Sequence, residues 1–408
     1  MEIDLGPEAE QFRAELRAWI AAEAPEELTG VYDWSGHTVF AGHDSMVRLA
    51  ATKHPAYAQW EARLLAKRLI CPEWPEEYGG QGLDPVRTSV FNEELQRAGL
   101  PRVTRGAGES LAGPAIIAHG TPEQKAEFLP KILSGEHVYC QGFSEPDHGS
   151  DLAAVETRGV VDGDELVITG QKVWTSGADE ANMMFILCRT DPTVPKHAGM
   201  SYVLFDFTDP AVTVRPIRQI SGSAEFAEDF FDGVRVPLFN VIGELGDGWR
   251  VAMTTLGFER GSSATVQYLG FEKEYWELVE MARKHGKTAE PLVRQQLAWA
   301  YTQVQLMKFS GLRTLAQLAA GKQPGPEASL VKLFWSEYWR KVGEIAVGIE
   351  GSEAMLRPSG ENYPTDHWQD LFLAARAGTI YAGSNEIQRN IIGERVLQLP
   401  KEPRVSGQ

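Results

Sequence analysis

The apolar residues of this 408-residue chain change period twice, and that change limits the fold more than any other feature. From the N-terminus to about residue 137 the spacing is helical. Phe12, Leu16, Trp19 and Ile20 share one face, and Pro25 stops that helix. Thr121-Pro122-Glu123-Gln124 reads as a helix start, with Thr121 as N-cap, Pro122 as first helical residue and Gln124 as reciprocal capping partner. From about 138 to 240 the period is two. Strand-like runs at 166–169, 183–188, 202–207, 212–217 and 230–237 are separated by turn residues, including the hairpin signal Asp162-Gly163-Asp164. From Gly248 to about Leu399 the helical period returns, in long stretches at about 249–285, 289–320, 327–350 and 366–397. The expected fold is therefore an α+β multidomain chain: an N-terminal helical domain (1–137), a central antiparallel β-barrel or sandwich (138–240) and a C-terminal four-helix bundle (241–408).

Bulk properties narrow the function. A formal net charge of −17, from 39 Lys+Arg against 56 Asp+Glu, argues against nucleic acid and anionic membranes as partners. It permits a small anionic ligand, because local cations override the mean field. Cys71, Cys140 and Cys188 are too few and too scattered for a disulfide framework or a zinc site, so reduced buried thiols are expected. His37, His43 and His54 lack ligand spacing, and no metal is expected. The N-terminus lacks the pattern of a secretory signal and no apolar run is long enough to span a bilayer, so a cytoplasmic protein is expected. The segment 34–53 has weak periodicity and reads as an irregular excursion near a substrate site.

Four motifs carry the chemistry. They are Pro72-Glu73-Trp74-Pro75-Glu76-Glu77-Tyr78-Gly79-Gly80, then Gln141-Gly142-Phe143-Ser144-Glu145-Pro146-Asp147-His148-Gly149-Ser150-Asp151, then Lys172-Val173-Trp174-Thr175-Ser176-Gly177, and last Ala382-Gly383-Ser384-Asn385-Glu386-Ile387-Gln388-Arg389. Together they resemble the acyl-CoA dehydrogenase family over nearly the whole chain, and the order helices, β domain, helical bundle is that family's order. The resemblance implies FAD as cofactor, an acyl-CoA as substrate and an electron-transferring flavoprotein as acceptor. It places Phe143 and Ser144 against the flavin ring, in a strand and loop that begins at Gln141. It places Gly149 and Ser150 on the phosphate and CoA side. Trp174 would flank the isoalloxazine, Ser176 would bond near its N5, and Ser384 and Glu386 would contact the adenosine diphosphate. An aromatic in a strand is ordinarily core; the neighbours Lys172 and Ser176 favour the cofactor reading of Trp174. Gly106-Ala107-Gly108-Glu109 follows no strand and reads as a loop or a close helix contact.

The departures from the family pattern are as informative as the matches. Many members carry the catalytic glutamate between Tyr and Gly of the last motif, where this chain has Ala382. Other members carry it on a helix early in the C-terminal bundle, immediately before an Arg, and Phe258-Glu259-Arg260 matches that pattern. The resemblance thus assigns the base to Glu259, taking the α-proton while the β-hydrogen leaves as hydride to the flavin. A methyl group at 382 opens space beside the thioester, which suits a branched or bulky acyl group. The segments that family members lend to a neighbour's FAD are altered here, at 282–287 and at Val347-Gly348-Ile349-Glu350-Gly351. That asymmetry resembles actinobacterial members that act on steroid side-chain thioesters as mixed tetramers. The expectation is α,β-dehydrogenation of an acyl-CoA to a trans-2-enoyl-CoA in lipid or steroid catabolism, by a homo-oligomer or by a heterotetramer with a second acyl-CoA dehydrogenase-like chain. Two other readings stay open: a flavin-dependent monooxygenase on the same fold, which needs no Glu259, and a non-catalytic subunit, which needs no intact Glu-Pro-x-x-Gly-Ser-Asp.

Overall fold

A computed structural model describes residues 5–30, 54–258, 267–322, 325–355 and 366–401. The excursion expected at 34–53 and the candidate base Glu259 lie outside the described residues. Eleven α-helices and eight strands occur among them. They group into two compact units, each built from discontinuous stretches of chain.

One unit holds α2 (Tyr57–Ala66), α4 (Gly113–His119), α5 (Pro122–Ser134), all eight strands and α6 (Gly248–Phe258). Local signals set its smaller pieces. The Thr121 hydroxyl accepts from the Gln124 N–H at 3.2 Å and the Gln124 side chain accepts from the Thr121 N–H at 2.8 Å, completing the capping box at the start of α5. Strands β2 (Arg158–Asp162) and β3 (Glu165–Ser176) form a hairpin whose loop residues are Gly163 and Asp164. Gly163 has φ 68°, the positive value that the first position of a type II′ turn requires. Gly108 makes the expected close contact: a Cβ there would lie 3.0 Å from Ile132 and 3.5 Å from Tyr139.

The remaining strands are β1 (Tyr139–Gly142), β4 (Met183–Arg189), β5 (Met200–Asp206), β6 (Val212–Ile217), β7 (Phe226–Pro237) and β8 (Val241–Ile242). They pair in the order β6-β7-β3-β2-β4-β5-β8, with β1 on β4. Most pairings are antiparallel, as expected. The departures are β1–β4 and β2–β4, which are parallel and make the sheet mixed. They occur because β1 and the first residue of β2 lie along the same edge of β4. Gly142 pairs with Ile186 and Arg158 with Arg189. The edge advances three positions while the chain spends sixteen, so the intervening residues 143–157 leave the sheet as a loop. β4 is buried along almost its whole length, which is why its sequence is a continuous apolar run rather than an alternation.

The other unit holds α1 (Pro7–Glu23), α3 (Pro85–Arg97) and the bundle: α7 (Tyr268–Lys284), α8 (Pro291–Ala319), α9 (Ser329–Glu350), α10 (His367–Gly378) and the short α11 (Asn385–Ile391). Its core centres on Phe271, Leu278, Tyr338, Trp339, Val342 and Leu371. Helices α9 and α10 approach at Gly343, where a Cβ would lie 2.8 Å from the Phe372 Cα. The stretch expected at 366–397 is interrupted by a turn at 379–384, which separates α10 from α11. Gly383 (φ 81°) and the capping Ser384 make that break.

Candidate functional site

In the sheet unit the second and third motifs meet through one buried ion pair. Lys172 is fully buried, and its ammonium donates to Glu145 Oε1 at 2.8 Å and to the Phe143 carbonyl at 3.0 Å. Glu145 also accepts from the backbone N–H groups of Glu156 (2.6 Å) and Thr157 (2.9 Å). Thus one carboxylate ties both ends of the 143–157 loop to β3. Burial pushes the Glu145 carboxyl up, but the Lys172 ammonium and the donors on it prevail and hold it below the usual range. Burial presses the Lys172 ammonium down while Glu145 pulls against it. A further bond, Val173 N–H to the Ser144 carbonyl at 3.0 Å, sets the two motifs side by side.

This arrangement sorts the expected cofactor residues. Phe143 is buried, with its ring edge-on to Phe185 (5.7 Å) and Tyr202 (6.2 Å), so a contact with a ligand falls to its backbone. Gln141 and Ser144 are half-buried; Gly149 and Ser150 lie exposed on the loop. The Asp151 side chain pairs with Lys196 at 2.8 Å, and Arg189 donates to the Ala153 carbonyl at 2.6 Å, so the exposed loop is held at its far side as well. Trp174 is not core: it is 58% exposed and has φ 65°, a conformation costly for a bulky residue. Ser176 is also exposed.

The bundle unit carries the last motif. Ala382 is exposed at φ 52°, and its side chain holds no group that titrates. The Ser384 hydroxyl accepts from the Ile387 N–H at 3.3 Å, which caps α11. Asn385 is buried and fixes the turn to α9. Its Oδ1 accepts from Lys332 (2.9 Å) and Ser336 (3.0 Å), and its Nδ2 donates to Glu337 (3.0 Å). Burial lowers the Lys332 ammonium to about 8, against the pull of Glu386 and Glu337. Glu386 itself is exposed.

Sequence reasoning assigned no role to Glu145, Thr175, Asp229, Lys332 or Asn385. Asp229 had a visible signal: it occupies an inward position of an alternating strand, between the buried Ala227 and Phe231. The others needed contacts between residues far apart in sequence. Cys71, Cys140 and Cys188 are free and buried, as expected. Among the described residues no helix is long and apolar enough to cross a membrane.

Comparison with known proteins gives the family. Profiles of the acyl-CoA dehydrogenase N-terminal, middle and C-terminal domains match residues 6–136, 140–234 and 246–397. The chain is 44% identical over 400 residues to acyl-CoA dehydrogenase IpdE1 of Mycobacterium tuberculosis, covering 97% of this chain and 99% of that one. Among solved structures it resembles the Tcur3481-Tcur3483 steroid ACAD, with a TM-score of 0.78, 30% identity and coverage of 98% and 100%. It also resembles the ChsE4-ChsE5 complex from Mycobacterium tuberculosis, with a TM-score of 0.76, 28% identity and coverage of 98% and 100%. The chain belongs to the acyl-CoA dehydrogenase family, whose members are FAD-dependent oxidoreductases, and it is an enzyme of that class.

The residues present fit FAD. The sheet unit offers an outward-facing indole beside serine hydroxyls and an exposed Gly-Ser pair, and the bundle unit offers a serine-capped turn next to a lysine. One consequence of this burial is measurable. Burial, with Glu228 adding to it and the Thr175 hydroxyl opposing, pushes the Asp229 carboxyl up to about 6 from 3.8. Between those values the folded protein keeps a proton that the unfolded chain has lost, so this group lowers stability as pH rises from about 4 to about 6. Asp229→Asn is expected to flatten that part of the curve, as read from urea-unfolding midpoints across the same interval. An identical slope in the variant and the parent would contradict the assignment.

Proposed function

We propose that this enzyme dehydrogenates the acyl group of a bulky, steroid-derived acyl-CoA to the trans-2-enoyl thioester, with Glu259 as the base. The observation that carries the reading is Ala382: the loop position that holds the base in many relatives is an exposed methyl group. Removal of a weakly acidic α-proton still requires a base, and a carboxylate held away from water is suited to the task. Glu259 directly follows the last residue of α6 in sequence. That helix is well anchored within the sheet unit. Arg250 donates to His119 Nδ1 at 3.0 Å, which leaves the His119 Nε2 proton to bond Thr254 Oγ1 at 2.8 Å. Burial and Arg250 both lower the His119 pKa, consistent with that neutral tautomer.

The remaining roles are those that the family resemblance implies for these positions. FAD, when bound, supplies the hydride acceptor. Trp174 and Ser176 would wall and orient its ring, with Ser144 and the Phe143 and Gln141 backbone at the strand end. Gly149 and Ser150 would meet the phosphate side, and Ser384 and Glu386 the adenosine diphosphate. The electron acceptor is proposed to be an electron-transferring flavoprotein and the compartment the cytoplasm. The steroid class rests on the likeness to the Tcur3481-Tcur3483 steroid ACAD and on the small residue at 382.

Glu259→Gln tests the base. The variant is expected to purify yellow and to lose turnover by about 10²–10⁴-fold. Its flavin should no longer bleach when titrated anaerobically with straight, branched and steroid acyl-CoAs. Retained bleaching would refute the assignment.

A mixed assembly is part of the same reading. At the end of α9, Glu350 stands where the resemblance places a glycine that faces a neighbour's cofactor. Burial, with Asp366 and Glu353 nearby, pushes its carboxyl up to about 7. An acidic cluster there is a poor neighbour for a pyrophosphate. Co-purification with a second acyl-CoA dehydrogenase-like chain, carrying fewer FADs than subunits, is expected by mass and flavin content. A stable homotetramer with one FAD per chain would contradict it.

A further inference from the structure

The bulge that exposes Trp174 has a second anchor, on the same face of the sheet as Lys172: Asp229, which pairs with Lys172 across β3 and β7. In the β3–β7 pairing Val173 faces Glu228 and Thr175 faces Ala227, so Trp174 is the extra residue with no partner on β7. Lys172 and Thr175 are both fully buried, although they lie three apart in a strand. Strict alternation cannot place both inward; the extra residue makes it possible. Without the bulge, a strand that kept Lys172 inward would also turn Trp174 and Ser176 into the core, and Thr175 out to solvent.

Asp229 is what makes that alternative unfavourable. It lies on β7 with 0% exposure, and its Oδ2 accepts a hydrogen bond from the Thr175 hydroxyl. Its other oxygen, Oδ1, is buried with no hydrogen-bond partner among the described residues. Its surroundings are the apolar core of the sheet, including Ala227, Phe231 and Cys140. Thr175 is thus the donor given to this carboxyl, and the unbulged register would remove it and leave a buried carboxyl unsatisfied.

We propose that Asp229 is a positioning residue for the flavin site: through Thr175 it locks β3 into the bulged register that presents Trp174 and Ser176 outward. This rests on the reading of Trp174 and Ser176 as the flavin wall, and the test separates the two. The full chain is prepared as wild type, Thr175→Val, Thr175→Ser and Asp229→Asn, each also with Trp174→Phe. Acrylamide quenching of tryptophan fluorescence is measured without FAD, and the Trp174→Phe partner isolates the Trp174 contribution. FAD affinity is then measured by calorimetry. Thr175→Val is expected to remove the quenchable Trp174 contribution and to weaken FAD about tenfold. Thr175→Ser and Asp229→Asn retain a hydroxyl donor and an oxygen acceptor, so both are expected to behave like wild type. If Thr175→Val folds and leaves Trp174 as quenchable as before, the positioning role is overturned. If Trp174 is withdrawn but FAD affinity does not change, the latch stands and the flavin-wall reading fails. A general loss of packing would lower the quenching contrast in Thr175→Ser as well, and that outcome also counts against the latch.

Discussion

The buried Lys172–Glu145 pair is the interaction on which the candidate site of the sheet unit depends. Two charges taken out of water are costly, and such a pair is tolerated only where geometry and extra hydrogen bonds compensate. Here the compensation is specific. Glu145 receives two backbone N–H groups besides the ammonium, and Lys172 reaches a backbone carbonyl besides the carboxylate. Removing one partner of such a pair costs roughly 3–5 kcal/mol, whereas an apolar replacement of both can be neutral. The pair is therefore better understood as a device for fixing position than as a source of stability. What it fixes is the fifteen-residue loop 143–157 at the edge of β4, whose exposed part carries Gly149 and Ser150.

A second constraint works against the first. Lys172 faces inward to reach Glu145, yet Trp174, two residues on, faces outward. A regular strand forbids this, and the bulge at Trp174 resolves it at the expense of a left-handed backbone at a bulky residue. A comparable conformation recurs at Ala382 in the bundle unit. Of the four non-glycine residues with positive φ among the described residues, Trp174 and Ala382 lie within the motifs that carry the chemistry, and Arg68 and Gln398 lie outside them.

Local spacing made much of this legible in advance. The capping box at Thr121–Gln124, the turn at Gly163 and the break at Gly383-Ser384 each depend on residues within a few positions of one another. The buried β4 announced itself by its continuous apolar run, and the long bundle helices by their period. The parallel pairing of β1 and β2 with β4 did not, because it joins residues 44 and 31 apart in sequence and leaves alternation unchanged. The bulge was hidden for a related reason: nothing in Lys172-Val173-Trp174-Thr175-Ser176 states that positions 172 and 175 share a face. Asp229 broke the alternation of β7 openly, but its meaning needed Thr175 on the neighbouring strand. The absence of a base at residue 382 was plain from one letter, and it gives Glu259 its weight.

The most direct measurement is the FAD dissociation constant of folded Lys172→Met, compared with wild type by calorimetry on cofactor-stripped protein. If the buried pair holds the loop and β3 together as one seat for the flavin, affinity falls by about tenfold or more. An unchanged constant in a variant that remains folded would contradict the dependence of the site on that pair.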